Sequence, residues 1–229
     1  MAIIRRFLLL TLIAIPALLS GQEMTVEQSY LQQSIENMII REMSRADNLD
    51  MKLVALEYIS NALERGNRSE DVRASLEYMA FEGISNITRE NGRVTNNFPS
   101  IRTQAATYLG QFGTVEARDA LVRMVLLDNE PMVTTEAIKS LATIGINEGG
   151  QTVSAIVWMV DRFGRLNPND LLALSAIEAF EKFAEIDGFI DSAAIATIRR
   201  VASDGRYNHA IRERARQSLD VLIRLPPPN

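Results

Sequence analysis

Cysteine does not occur in the 229 residues, and histidine occurs once, at His209. The first absence excludes thiol nucleophiles, cysteine–zinc sites, disulfide frameworks and a lipid-modified N-terminal cysteine. The second excludes triads built on paired histidines and metal centres with several imidazole ligands. Tryptophan also occurs once, at Trp158, and aromatic residues are only 6% of the chain, so large rings are scarce as anchors. Apolar residues make up 47% and charged residues 23%, the balance of a globular protein rather than a disordered tail, a collagen-like fibre or a multi-span membrane protein. No Gly-rich phosphate loop, His-Glu-x-x-His pair, Gly-x-Ser-x-Gly elbow or calcium-loop spacing is present. Neither a cofactor nor a metal is expected, and no enzyme chemistry.

The longest apolar run is near the start, in MAIIRRFLLLTLIAIPALLSG. Arg5 and Arg6 form a positive beginning, residues 7–19 an apolar stretch, and Ser20-Gly21 a small-residue end. A membrane-spanning helix needs about 20 apolar residues; this stretch is shorter and is interrupted by Pro16. The pattern predicts a secretory signal peptide over residues 1–21, cut after Gly21, although Leu19 is larger than such a cut prefers. The arginine pair hints at twin-arginine export without that signal's flanking polar residues. Removing the segment leaves 22 basic against 29 acidic side chains, a formal charge of −7. An acidic exported chain is a poor ligand for phosphate backbones, so nucleic acid is not an expected partner. Export without cysteine points to a bacterial envelope, with the protein periplasmic or secreted and not a lipoprotein.

Residues 22–229 read as one domain with helical periodicity almost throughout. A frame of apolar, Ala and apolar positions recurs at Ile101-Ala105-Leu109-Phe112, Val133-Ala137-Leu141-Ile144, Leu172-Ala176-Phe180-Phe183 and Ile211-Ala215-Leu219-Leu222, with a looser copy at Met51-Ala55-Ile59-Ala62. Steps of four, four and three place these side chains on one helix face, and the small alanine admits a close neighbour. Pro99, Pro131 and Pro168 stand ahead of three copies and Gly66, Gly113, Gly145 and Gly188 follow four, as helix starts and stops do. Second helices are expected between copies, over 115–127, 152–163 and 192–202. Each repeat is thus a helix–turn–helix pair.

The stretches PSIRTQAATYLGQFG and EPMVTTEAIKSLATIG, echoed by NHAIRERARQSLDVLI, resemble the HEAT-repeat family in its short bacterial form over residues 50–224. The Trp/Leu-Gly/Tyr pattern of tetratricopeptide repeats is absent. The resemblance implies an all-α fold, an α-solenoid of antiparallel helix pairs whose second helices line a concave face that binds other proteins. It carries over no catalytic residue.

Two segments depart from the repeat. Residues 25–43 form an extra amphipathic helix, with Thr25 and Gln28 spaced as a capping box and Leu31, Ile35, Met38 and Ile39 on one face; a cap over the open end of the stack is the expectation. Residues 85–98 are an insertion in which Asn91-Gly92 between two strand-like arms predicts a β-hairpin or a loop.

The candidate binding residues lie on the surface. Trp158 and Arg162 point away from the apolar face formed by Val153, Ile156, Val157, Val160 and Phe163, toward the expected groove; burial of this lone tryptophan against the next repeat is the competing and favoured reading. Tyr78 and Arg123 are weaker groove candidates on earlier second helices. From residue 199 onward seven arginines face three acids, a net +4, whereas residues 22–198 carry −11. Arg199, Arg200, Arg206, Arg212 and Arg216 are therefore candidates to dock an acidic partner or an anionic envelope polymer, against a plain solvated end face. The Asp187–Asp191 stretch reads as a turn with Asp191 as a helix cap, and His209 as an exposed helix-start residue. The expected function is a protein-binding scaffold in the cell envelope. The rivals are a homo-oligomer joined end to end and an enzyme of bilin-lyase-like or unknown type.

Overall fold

The structure, a computed structural model, describes residues 25–225. The expected signal peptide lies outside the described residues. The chain divides into two compact units, Met1–Glu36 and Asn37–Asn229, and the boundary falls within the first described helix. That helix, α1 (Val26–Arg45), begins with the predicted capping box: the Thr25 amide donates to Gln28 Oε1 at 3.1 Å and the Gln28 amide to Thr25 Oγ1 at 3.3 Å. Of the expected stripe, Leu31, Ile35 and Met38 are exposed and Ile39 is half-buried, while Ile40 and Ser44 further along the helix are buried.

The rest of the described chain is all-α. It comprises α2 (Leu49–Glu64), α3 (Glu70–Ala80), α4 (Pro99–Phe112), α5 (Val115–Leu127), α6 (Pro131–Ile144), α7 (Gln151–Leu166), α8 (Asp170–Asp187), α9 (Ser192–Ser203) and α10 (His209–Leu222), with a short 3-10 turn at Glu148–Gly150. Local chemistry sets the ends. Pro99 and Pro131 occupy first-turn positions of α4 and α6, where a missing N–H costs nothing. Thr114, Asn169, Asp191 and Asn208 cap α5, α8, α9 and α10 through side-chain oxygens that accept first-turn amides. Gly113, Gly145 and Gly188 close α4, α6 and α8 in the left-handed conformation.

The repeated frame is the core. Ile101, Ala105 and Leu109, Val133, Ala137 and Leu141, Leu172, Ala176, Phe180 and Phe183, and Ile211 and Ala215 are all buried. In the looser copy Met51 is exposed while Ala55, Ile59 and Ala62 are buried. From α2 onward, even-numbered helices pack on the next even-numbered helix, from α2 on α4 to α8 on α10; odd-numbered helices do the same from α3 to α9. One close approach is Gly110 of α4 against Ser140 of α6, where an added Cβ would meet Ser140 Cβ at 2.8 Å.

The insertion is a hairpin: β1 (Arg89–Glu90) pairs antiparallel with β2 (Arg93–Val94), with Arg89 opposite Val94 and Glu90 opposite Arg93. Asn91 and Gly92 both adopt positive φ, as a two-residue turn of this type requires. A lone hairpin is marginal in water. This one is tied down by Asn96, whose side chain accepts from the Thr88 amide at 2.9 Å and donates to Asn86 O at 2.6 Å and to Glu82 Oε1 at 2.7 Å.

Candidate functional site

The candidate surface is built on the odd-numbered helices. On α7 the apolar face sits as expected, with Val153, Ile156 and Val160 buried and Val157 and Phe163 half-buried. Trp158 is 44% exposed, so the favoured expectation of burial is overturned. The reason is helical phase: α7 has a high apolar contrast between its faces, and residue 158 falls on the polar one. One turn on, the Arg162 guanidinium lies 5.3 Å from the indole centroid and also donates to Asn129, in the turn after α5. The indole is therefore presented to solvent with a cation stacked on it, an arrangement suited to a partner offering both apolar area and a carboxylate.

Each odd-numbered helix reaches back to the one before it. Arg123 of α5 stacks over Phe81 with 4.9 Å to the centroid and lies 3.4 Å from Glu77 of α3. Arg200 of α9 pairs with Asp161 of α7, and Asp161 also accepts from Thr197 Oγ1 at 3.4 Å. Arg206, in the turn before α10, donates to Gly164 O at 2.5 Å and to Asp204 Oδ2 at 2.7 Å. Its hydrogen bonds hold the Asp204 carboxyl below the ordinary range. Tyr78 of α3 is half-buried, flanked by Arg45 at 5.9 Å and Lys52 at 5.5 Å from the ring centroid. Burial, with the neighbouring Glu82 and Asp47 charges, pushes its hydroxyl up.

The predicted residues thus separate. Trp158 and Arg162 come together, and Arg123 meets Glu77 next to Tyr78. Arg123, Arg162, Arg200 and Arg206 also fasten neighbouring elements, so they are less free than a solvated patch. Arg216 of α10 donates to Glu213 at 3.0 Å and to Ala202 O at 3.2 Å. Arg199 is exposed and makes no hydrogen bond or ion pair among the described residues, and the half-buried Arg212 makes none either. Sequence reasoning missed their partners Glu77, Phe81, Asn129 and Asp161.

The turns after α6 and α8 line a cavity of about 390 Å³ with Asn147, Val153, Phe183, Asp187 and Phe189. Its carboxylates are engaged: Asp187 accepts from Asn147 at 3.1 Å, and Asp191 caps α9 by accepting the Ala193 amide at 2.7 Å. Among the described residues no group of three or more His, Asp or Glu is placed to hold a metal ion, and no helix is long and apolar enough to cross a membrane. His209 is exposed at the start of α10. No protein-family model matches the chain, and no curated protein matches it.

Proposed function

We propose that the protein is an exported, periplasmic scaffold of HEAT-like α-solenoid type that binds another envelope protein across its odd-numbered helices. Recognition, with no bond made or broken, is the mechanism. The observation that carries the reading is the Trp158–Arg162 pair: an exposed indole, stacked by a guanidinium that Asn129 holds in place. Large rigid rings of this kind bury much area for little lost rotamer freedom. The solenoid reading is supported by the successive packing of even on even and odd on odd helices. Export is supported by the signal-like composition of residues 1–21.

The test is a photo-reactive residue in place of Trp158, irradiated in the intact cell envelope. The reading expects one dominant protein adduct that disappears when the reactive residue is moved to the exposed Glu185 on α8, an even-numbered helix. Adducts equal at both positions overturn it.

A further inference from the structure

Tyr207, in the turn before α10, is only 4% exposed, yet its hydroxyl makes no hydrogen bond among the described residues. A buried polar group left unpaired is costly. The residue lines a cavity of about 60 Å³ where the last turns of α7 meet α9 and the turn before α10. Every residue of this junction belongs to the second compact unit.

Gly164 of α7 lines the same cavity, and a Cβ added there would meet Tyr207 Oη at 3.4 Å, an ordinary contact, with nothing else from outside α7 within 4 Å among the described residues. Glycine inside a helix is a cost relative to alanine. Packing does not require it here; its effect is to leave space beside the hydroxyl.

The rim is charged. Arg165, Arg200 and Arg206 stand against Asp161 and Asp204, a net +1. Arg200 pairs with Asp161, and Arg206 Nη2 lies 2.7 Å from Asp204 Oδ2. Arg165 is exposed and makes no ion pair or hydrogen bond among the described residues, so its charge is the one to spare. A singly charged group balances the site, whereas a phosphate monoester of about −1.5 to −2 would face the two aspartates in excess. Size agrees. The volume exceeds the roughly 10–15 Å³ that one water needs and is far below the roughly 300 Å³ of a pocket for a whole small molecule. Such a space admits one functional group carried by something larger.

Arg162 and Arg165 follow Trp158 at i+4 and i+7, so the exposed indole and the cavity rim share one stripe of α7, about 10 Å long. We propose that the cavity is a carboxylate subsite: an Asp or Glu side chain of the partner protein enters it and accepts from Tyr207 Oη and Arg165, while an apolar side chain of the same segment covers Trp158. This rests on the reading of Trp158 as a docking point. In an extended segment the two partner residues stand three apart, since each residue advances about 3.3 Å.

The test uses the full chain as recovered from expressing cells, and NMR shifts of the Trp158 indole N–H and the Tyr207 ring. The probes are acetyl-Phe-Gly-Gly-Glu-amide, its Gln counterpart, acetate and dimethyl phosphate. The Glu peptide should move both signals and bind at least about tenfold more tightly than the Gln peptide, the worth of hydrogen bonds to a charged group. Acetate should move Tyr207 alone. Arg165→Gln should erase the difference between the peptides. Tyr207→Phe should weaken the Glu peptide with the melting temperature unchanged, because the hydroxyl bonds nothing in the free protein. Gly164→Ala should weaken it by narrowing the cavity, with no loss of melting temperature. Equal affinities for the two peptides, or an indole shift with Tyr207 unmoved, would overturn the subsite and leave Trp158 as a docking point. Tyr207 moved by the Glu peptide and acetate with the indole unmoved would support the subsite and remove Trp158 from the docking surface. Three results would each overturn the proposal: no Tyr207 shift up to about 100 mM acetate or about 10 mM Glu peptide, tighter binding of dimethyl phosphate than of acetate, or a lowered melting temperature in Tyr207→Phe. The second would assign the cavity to an anionic polymer, and the third to a structural water.

Discussion

Arg102 Nε lies 2.6 Å from Asp128 Oδ2, joining the first turn of α4 to the end of α5 with both side chains almost wholly out of solvent. The same guanidinium donates to Asn97 Oδ1 at 2.7 Å, and Asp128 also accepts the Glu130 amide at 2.9 Å, just ahead of α6. One pair thereby fixes the hairpin segment and two helix starts. Removing one partner of a buried pair strands the other charge, at a cost of about 3–5 kcal/mol. Arg102→Met should lose about that much in urea unfolding, and Arg102→Met with Asp128→Asn should recover part of it. A single-variant loss below about 1 kcal/mol would mean that water reaches Asp128.

The glycines at 83 and 92 separate conformational cost from steric cost. Both have positive φ, at 72° and 80°. An alanine at 92 would meet nothing within 4 Å, whereas at 83 its Cβ would lie 2.8 Å from Asn96 O and from Asn97 Cα, both backbone atoms. Gly92→Ala should cost about 1–2 kcal/mol, the left-handed penalty alone. Gly83→Ala should cost about 1–3 kcal/mol more, because the backbone after β2 must shift. Thermal unfolding of the two variants checks the order, and equal losses would show that the segment after β2 gives way freely.

The helices were legible because their signals are local. The frame, the prolines and the capping residues lie within a few positions of what they control, and 115–127 was read to the residue. Asn91-Gly92 is a local signal of the same kind: it left a hairpin or a loop open, and the chain forms the hairpin. The arginines were not legible. Periodicity says which face a side chain occupies but not what stands opposite, and Arg102–Asp128, Lys52–Glu82 and Arg200–Asp161 are separated by 26, 30 and 39 residues. One signal was in reach: the residue after the first frame position is basic in three of the five copies, Lys52, Arg102 and Arg212. Trp158 was misjudged because a general tendency to bury tryptophan was weighed above its phase on α7.

An exposed indole predicts its own spectroscopy. As the sole tryptophan, Trp158 reports one environment, and at 44% exposure its fluorescence should be readily quenched by acrylamide in the isolated protein. Trp158→Ala should cost less than about 1 kcal/mol, since surface changes rarely cost more. Phe180→Ala, in the buried frame, should cost about 3–5 kcal/mol. A blue-shifted, poorly quenched emission from the isolated chain would mean that the ring is covered, by a second copy or otherwise.

Acid should loosen the contact between α8 and α10 in a defined direction. Burial pushes the Glu181 carboxyl up, but hydrogen bonds from Arg214, with its charge, outweigh that and hold it below the ordinary carboxylate range. The folded state thus binds this proton less readily than the unfolded chain does. Its contribution to stability is complete above the ordinary glutamate value, about 4.3, and is lost as pH falls through the lowered folded value. Asp204 is lowered by Arg206 and acts in the same direction, so the wild type carries both contributions. Melting temperature should therefore fall as pH is taken from about 6 to about 3. Glu181→Gln removes one titration and should flatten that fall while lowering stability at neutral pH. Arg214→Met should also flatten the fall and lower stability at neutral pH, by removing the hydrogen bonds and charge that hold the carboxyl down against its burial. Parallel melting curves for all three proteins would assign the acid sensitivity to other carboxylates.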